Sequence, residues 1–383
     1  MAQQALPAYF MRGGTSKALM LLRADLPAEQ SQWAPIFLAM MGSPDQYGRQ
    51  LNGMGGGISS LSKVCVIGPS THPEADVDYT FAQVAVREAH VDYRGNCGNM
   101  SAAVGPFAVH KGLVAAQEGE TTVKIHNTNT GKIIESRFEV RDGVPIYSGS
   151  LTIPGVDGSG APIELRFLQP GGATTGQLLP TGAASDTLVV EGLGELTVSM
   201  VDAANAAVFV PAEALGLTGT ELPDQLESDQ ALMENLERIR RAASVKMGIT
   251  NSLEAAAQVR AVPFVGLVAA PQDSPRLGGS IMPAGELNLV ARVISNGQPH
   301  RALPLTISLC LAVAAKIDGT IVHQLAQPSQ DIIRLGNPSG VLEVQAKISQ
   351  QDGKGWDAEY GSFYRTARLL MSGEVWFAKT KTT

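Results

Sequence analysis

Cysteine is scarce in this chain: three among 383 residues, at positions 65, 97 and 310. An odd count without metal-ligand spacing excludes a disulfide framework and points to a reducing compartment. Charge is sparse as well. Charged residues make up 17% and the net balance is −7, so the basic footprint that nucleic acid requires is missing. The longest apolar run, near residues 305–315, is too short to span a bilayer. The N-terminal Met-Ala-Gln-Gln-Ala-Leu-Pro has no basic region followed by an apolar one, which argues against a secretory signal. The expectation is a soluble cytoplasmic protein with neither nucleic-acid nor membrane partners. Apolar residues, by contrast, reach 44% over a length that fits roughly two domains, each with its own core.

The stretch Arg94 to His110, Arg-Gly-Asn-Cys-Gly-Asn-Met-Ser-Ala-Ala-Val-Gly-Pro-Phe-Ala-Val-His, concentrates the chemistry. A strand-like run, Val84 to Val91, feeds a Gly-Asn turn and then a segment apolar on nearly every side, the pattern of a helix buried all round. Cys97 sits at the join. The first amides of a helix have no intrahelical partner and carry the positive end of its dipole, so a thiol held there ionises more readily than a free one. Glycines on either side let backbone N–H groups approach an anion. The competing reading is a packing cysteine, the usual fate of single intracellular cysteines. Cys65, in Val64-Cys65-Val66-Ile67, and Cys310, inside Leu305 to Ala315, read as core. Pro106 falls inside the expected helix and predicts a kink or break near Gly105.

Residues 7–23 read as strand, turn and strand, with Arg12-Gly-Gly-Thr-Ser-Lys17 as the turn. Its hydroxyls and open amides suit a carboxylate, and an ordinary hairpin loop is the alternative. Residues 27–41 read as an amphipathic helix ending at Gly42-Ser-Pro44. Asn52-Gly-Met-Gly-Gly-Gly-Ile-Ser-Ser-Leu-Ser-Lys63 precedes a strand, Val64 to Ile67, so it is not a phosphate-binding P-loop. Three consecutive glycines mark a backbone approaching a ligand or another segment. Lys63, if covered, becomes a usable proton carrier by desolvation.

Short β pieces follow over 122–150 and 163–167, then a Gly/Pro/Thr-rich stretch, 169–182, taken as the approach to a domain boundary near 184. Residues 224–243 read as helix, and 260–270, 285–295 and 373–377 as strands. The second half echoes the first. Leu287 to Ile294, a polar turn over Ser295–Arg301 and the buried run Leu305 to Ala315 repeat strand, turn and helix about 200 residues on, and Asp202 to Asn205 echoes the turn Arg12 to Lys17. The pattern predicts two similar domains, 1–184 and 185–383, with a strand near 373–383 returning to the first. Each would wrap β-structure around one buried helix, and two helix N-termini facing a cleft suit a polyanionic substrate.

Taken together, Met11-Arg-Gly-Gly-Thr-Ser-Lys17, Gly42-Ser-Pro44, Asn52-Gly-Met-Gly-Gly56, Ser62-Lys63-Val64, Gly95-Asn-Cys-Gly-Asn99 with Ala103-Val-Gly-Pro-Phe107, and Leu179-Pro-Thr-Gly182 resemble the 2-methylaconitate cis-trans isomerase (PrpF) family. The resemblance implies an α+β fold of two pseudo-symmetric diaminopimelate epimerase-like domains. Each would be a β-barrel-like sheet wrapped around a central buried helix, with the active site in the cleft between them. Ala18 stands where the family usually has Gly, and the His300 region where the epimerases carry a second catalytic cysteine.

The family isomerises unsaturated di- and tricarboxylates by moving a proton across an allylic system, without metal or organic cofactor. By resemblance, Cys97 and Lys63 are the catalytic proton carriers. Asn96, Gly98 and Asn99 would hold one carboxylate and Gly14, Thr15 and Ser16 another, with Asn205, His300 and Arg301 closing the site from the second domain. The expected partner is a small unsaturated di- or tricarboxylate, 2-methylaconitate or aconitate first, and a homodimer or homotetramer is left open. Alternatives within the class are a 4-oxalomesaconate tautomerase and a methylitaconate delta-isomerase. Outside it stand a non-catalytic carboxylate-binding accessory protein of an aconitase-like enzyme, and an amino-acid epimerase, which needs a second thiol facing Cys97.

Overall fold

Ten consecutive residues, Met100 to Val109, are buried in the helix Gly98–His110. A helix with no wet side needs strands around it rather than beneath it, and the chain supplies them. The computed structural model describes residues 3–93, 96–326, 331–351 and 355–378. Arg94 and Gly95 of the expected turn, and 379–383 of the expected closing strand, lie outside the described residues. The architecture is α+β and dominated by sheet.

The chain divides into two compact units, Met1–Arg166 with Tyr364–Thr383, and Phe167–Phe363. In the first, β1 (Gln3–Gly13) and β2 (Ser16–Leu22) form a hairpin. The helix α1 (Trp33–Met41) follows, then β3 (Lys63–Pro69), parallel to β2 with Leu19 opposite Val64. β4 (Val77–Val84) returns antiparallel to β3, and the short β5 (Val91–Asp92) folds back on β4. Next come α2 (Gly98–His110), then β6 (Gly119–Asn127), parallel to β4, and β7 (Lys132–Arg141), antiparallel to β6. The strand Ala367–Ala378 comes back to pair antiparallel with β1, from Gln3 opposite Ala378 to Gly13 opposite Ala367. α1 packs Trp33, Phe37 and Met40 against Leu19, Val64 and Ala82, while α2 lies against β1, β2, β3, β6 and β7. Strands covered on both faces read as continuous apolar runs, which is why Lys63 to Gly68 is buried at every position.

The second unit repeats this connectivity. The hairpin Gly194–Ala203/Asn205–Pro211 precedes a helix, Gln230–Lys246. Phe264–Ala269 then runs parallel to the hairpin's second strand, and Leu289–Ser295 antiparallel to that. The buried helix Leu305–Ala314 follows, then Ile332–Asn337, parallel to Leu289–Ser295, and Gly340–Gln351, antiparallel to it. The echo in the sequence is thus one order of pairings used twice.

Several boundaries differ from expectation. The strand expected over 84–91 is instead β4, ending at Val84, because Arg87, Glu88 and His90 occupy a bend closed by Ala85 N donating to His90 O. The helix expected over 27–41 begins at Trp33, after a short 3-10 turn. The helix expected over 224–243 is two, Pro223–Ser228 and Gln230–Lys246, separated by Asp229, whose carboxylate caps the second through Leu232 N. The units divide at 166/167 rather than near 184. The Gly/Pro/Thr stretch belongs wholly to the second unit, where Thr174 N and Thr175 N donate to the buried Asp202 carboxylate at 2.7 and 2.6 Å.

No break occurs at Pro106: α2 continues through it to His110. The ring removes the bond to the Ala102 carbonyl, a loss of about 3 kcal/mol. Burial of Met100, Val104, Phe107 and Val109 contributes about 1.5–3 kcal/mol each and outweighs it. Gly105 sets how close the helix lies to β7, since a Cβ there would sit 2.6 Å from Ser136 Oγ and 2.8 Å from the Phe138 ring. Gly105→Ala should therefore destabilise the first unit by about 1–3 kcal/mol through overpacking, read as a lowered thermal midpoint. An unchanged midpoint would show that β7 yields freely.

Candidate active site

The β1–β2 turn is two residues, Gly14 and Thr15, closed by the pair Gly13 and Ser16. Gly14 has φ +50°, in the left-handed region. Both glycines lie flush on the start of α2, for a Cβ on Gly13 would stand 2.5 Å from the Asn99 carbonyl oxygen and one on Gly14 would overlap the Asn99 side chain. Asn99 Oδ1 accepts from Thr15 N at 3.4 Å and from Arg365 Nε at 3.3 Å. Arg365 is buried, and burial pushes its guanidinium down to about 10. Arg12 braces the turn by donating to the carbonyls of Gly14 and Thr366 and to Thr366 Oγ1, each at 3.0 Å. Burial and the neighbouring Arg368 lower its pKa. Thr15 is exposed and Ser16 buried.

Cys97 is the N-cap of α2, with φ −111° and ψ 95°, and its carbonyl accepts the first intrahelical bond from Ser101 N at 2.9 Å. The amides of Gly98 and Asn99 precede that bond and have no partner along the helix. Cys97 is half-buried, whereas Cys65 and Cys310 are fully buried, as their apolar settings predicted. Asn96 Oδ1 accepts from Ser101 Oγ and Asn127 Nδ2, both at 3.3 Å. Asn129 Nδ2 donates to Tyr93 O at 2.6 Å and Phe81 O at 2.8 Å. Side-chain amides thus brace the approach to the helix on both sides.

Lys63 opens β3 and is buried. Its Nζ donates to Gln83 Oε1, opposite it on β4, and lies 5.0 Å from the centre of the Phe81 ring. Cys65, two residues along the same strand, has its thiol pushed up by burial, raised further by Cys97 and lowered by Lys63. Both expected proton carriers therefore act electrostatically on one sulfur. Tyr79 lines the same interior, 3.8 Å from Cys65 Sγ, and burial, then Cys65 and Cys97, raise its pKa well above the usual tyrosine value. The glycines of 53–57 approach other segments of the chain: a Cβ on Gly53 would meet Met41 and Gly42, one on Gly55 the buried Gln50, and one on Gly56 Leu61.

The second unit places its expected residues differently. Asn205 donates to Thr306 Oγ1 at 2.6 Å, so a hairpin turn again meets the start of a buried helix. His300 is half-buried, 2.7 Å from Ser295 Oγ and stacked on Phe264. Arg301 is exposed and pairs with the exposed Asp224 at 2.8 Å. Neither hydrogen-bonds at the Asn205–Thr306 turn. A cavity of about 430 Å³ in this unit, lined by Glu234, Glu237, Arg238, Arg241 and Arg260, contains no expected site residue. Among the described residues, no group of three or more His, Cys, Asp and Glu could hold a metal ion.

Arg365 and Gln83 escape the sequence reading. Their partners are set by the topology. Arg365 meets a residue 266 positions away.

The PrpF protein family matches residues 3–378. The chain is 42% identical to a 3-methylitaconate isomerase of Eubacterium barkeri, over 99% of both chains. It is 36% identical to a 2-methyl-aconitate isomerase of Shewanella oneidensis, over 97% of both. The crystal structure of a methylitaconate-delta-isomerase matches 100% of this chain and 99% of its own at 40% identity, with a TM-score of 0.93.

Burial lowers the pKa of His300, so below the ordinary histidine value, about 6.5, the unfolded chain binds a proton that the folded chain does not. Stability then rises with pH through that window and falls on acidification until the folded imidazole itself protonates. His300→Gln should flatten this slope by up to one proton in urea unfolding measured from about pH 5 to 7. Parallel slopes for the two proteins would contradict it.

Proposed function

This chain belongs to the PrpF protein family and is an isomerase, and on that premise we propose that it moves a proton and a double bond across the allylic system of a small unsaturated di- or tricarboxylate, with Cys97 and Lys63 as the proton carriers. The position of Cys97 carries the reading. Of the three thiols it alone is not fully buried, and it caps a helix whose first amides have no partner along the helix and suit an anion. The exposed Thr15 beside Asn99, with Arg365 behind it, adds a hydroxyl of the kind a carboxylate needs, whereas the Gly14 amide is taken by the Thr366 carbonyl at 2.9 Å.

The chemistry is a 1,3-proton shift. One carrier takes a proton from the allylic carbon, and the C–H electron pair becomes the new double bond. The former π pair takes a proton at its far carbon from the other carrier, so the substrate balances, and the two carriers, left in exchanged protonation states, reset by proton exchange with solvent before the next turnover. The charge delocalised into the carboxylate between the two transfers is what fixed amide dipoles stabilise. Among substrates, 3-methylitaconate moves ahead of the 2-methylaconitate or aconitate expected from sequence, because the relative bearing its name is 42% identical against 36%.

In deuterated buffer the protein should wash solvent deuterium into 3-methylitaconate, assayed beside 2-methylaconitate, aconitate and 4-oxalomesaconate. Cys97→Ser and Lys63→Ala should each lower exchange by about 10²–10⁴-fold, the usual contribution of a positioned acid or base. Undiminished exchange in either variant removes that residue's role. Binding of these acids without exchange at any pH would remove them as substrates.

A further inference from the structure

The Gln83 carboxamide faces two ways at once. Its Oε1 accepts from Lys63 Nζ, while its Nε2 donates to the carbonyls of Ser59 and Ser62, each at 3.0 Å. Turning the amide over would set its oxygen against two carbonyl oxygens and its NH₂ against the lysine amine. One orientation is therefore enforced. The anchor is itself fixed, since Ser62 is fully buried and its single hydroxyl proton is shared between Gln50 Oε1 at 2.6 Å and Ile58 O at 2.9 Å. Gln50 also accepts from Gly57 N at 2.9 Å. The glycine-rich loop thus ends in a bracket that presents one oxygen to one amine.

We propose that Gln83 is a positioning residue, a neutral acceptor that holds the Lys63 amine between the Phe81 ring and its own amide oxygen so that the amine can serve as a proton carrier. The proposal rests on the reading of Lys63 given above. Neutrality is the point of the arrangement. A carboxylate at this position would bind the protonated amine as an ion pair and resist its loss of the proton, whereas an amide oxygen fixes position without adding charge. Among the described residues no carboxylate pairs with Lys63. The titratable groups on the elements packed around it are Cys65 on its own strand, Tyr79 on β4, Cys97 at the start of α2 and Asp92 on β5, which stands opposite Gln83 and has a partner of its own. Asp78 on β4 is committed to His126 at 2.9 Å, and Lys17 on β2 lies over Phe10.

The test is the pH–rate profile of the full-length protein with Gln83→Glu and Gln83→Met, beside an NMR titration of lysine labelled with carbon-13 at Cε, the Lys63 signal being assigned by its loss in Lys63→Arg. Gln83→Glu should move the limb carried by Lys63, and the midpoint of its NMR signal, to higher pH by about one unit or more. Gln83→Met should lower kcat roughly 10- to 100-fold with KM little changed, as misplacement of a reacting group does. If Gln83→Met does not fold, the Gln83→Glu titration decides alone. Superimposable profiles and titrations for Gln83→Glu and the wild type, with Lys63→Ala inactive, would overturn the role of Gln83 and leave that of Lys63 standing. Full activity in Lys63→Ala would overturn both.

Discussion

The candidate site is registered against a helix that has no wet side. Because Met100 to Val109 is buried all round, α2 cannot shift or rotate without opening voids, and packed interiors resist that. Its first turn is therefore a fixed point, and whatever touches that turn inherits its position. The glycines at 13 and 14 exist for this contact, since any side chain there would push the hairpin off the helix. Cys97 inherits the same rigidity as the residue through which the chain enters the helix.

Two kinds of element hold the proposed proton carriers. Cys97 and Asn99 belong to the helix start, while Lys63 belongs to a strand whose register is set by β2 on one side and β4 on the other. A strand fixes a side chain to one face by its period of two, and that period gives Lys63 and Cys65 a common face. The buried sulfur of Cys65 on that face is acted on electrostatically by both Lys63 and Cys97. Sites on rigid elements hold reacting groups more closely than sites on loops do.

Much of this was legible in the sequence, for physical reasons that also explain what was not. Both buried helices announce themselves by apolarity on every face, and Cys97 by its place at the join. The repeat shows because one order of strand, turn and helix recurs, though the strands Ile332–Asn337, Gly340–Gln351 and Gly355–Arg365 were not anticipated. At position 106 propensity is local and burial is not: the loss at Pro106 is outweighed by contacts with strands far away in the chain. The glycine-rich loop was open between ligand and neighbouring segment, and Gln50, an ordinary polar residue in sequence, turns out to be the buried post around which it winds. Pairings such as Arg365 with Asn99 depend on which strand closes the sheet, which no local pattern encodes.

The same packing speaks to the mechanism with two opposed thiols. Such a mechanism needs a second sulfur that can ionise at an open surface. Cys310 lies in the middle of the helix Leu305–Ala314, fully buried, its Sγ 3.5 Å from the Val201 carbonyl, and burial pushes its thiol up with Asp202 nearby adding to the shift. Cys65 is equally enclosed and is raised further by Cys97 itself. Each sulfur is held in the neutral form by the core that it fills. The helix start in the second unit that corresponds to Cys97 is Pro304, which has neither thiol nor amide hydrogen. The order of pairings thus recurs in both units, while a thiol stands at the helix start of one alone. The proposed asymmetric pair, one sulfur and one amine, accords with that difference.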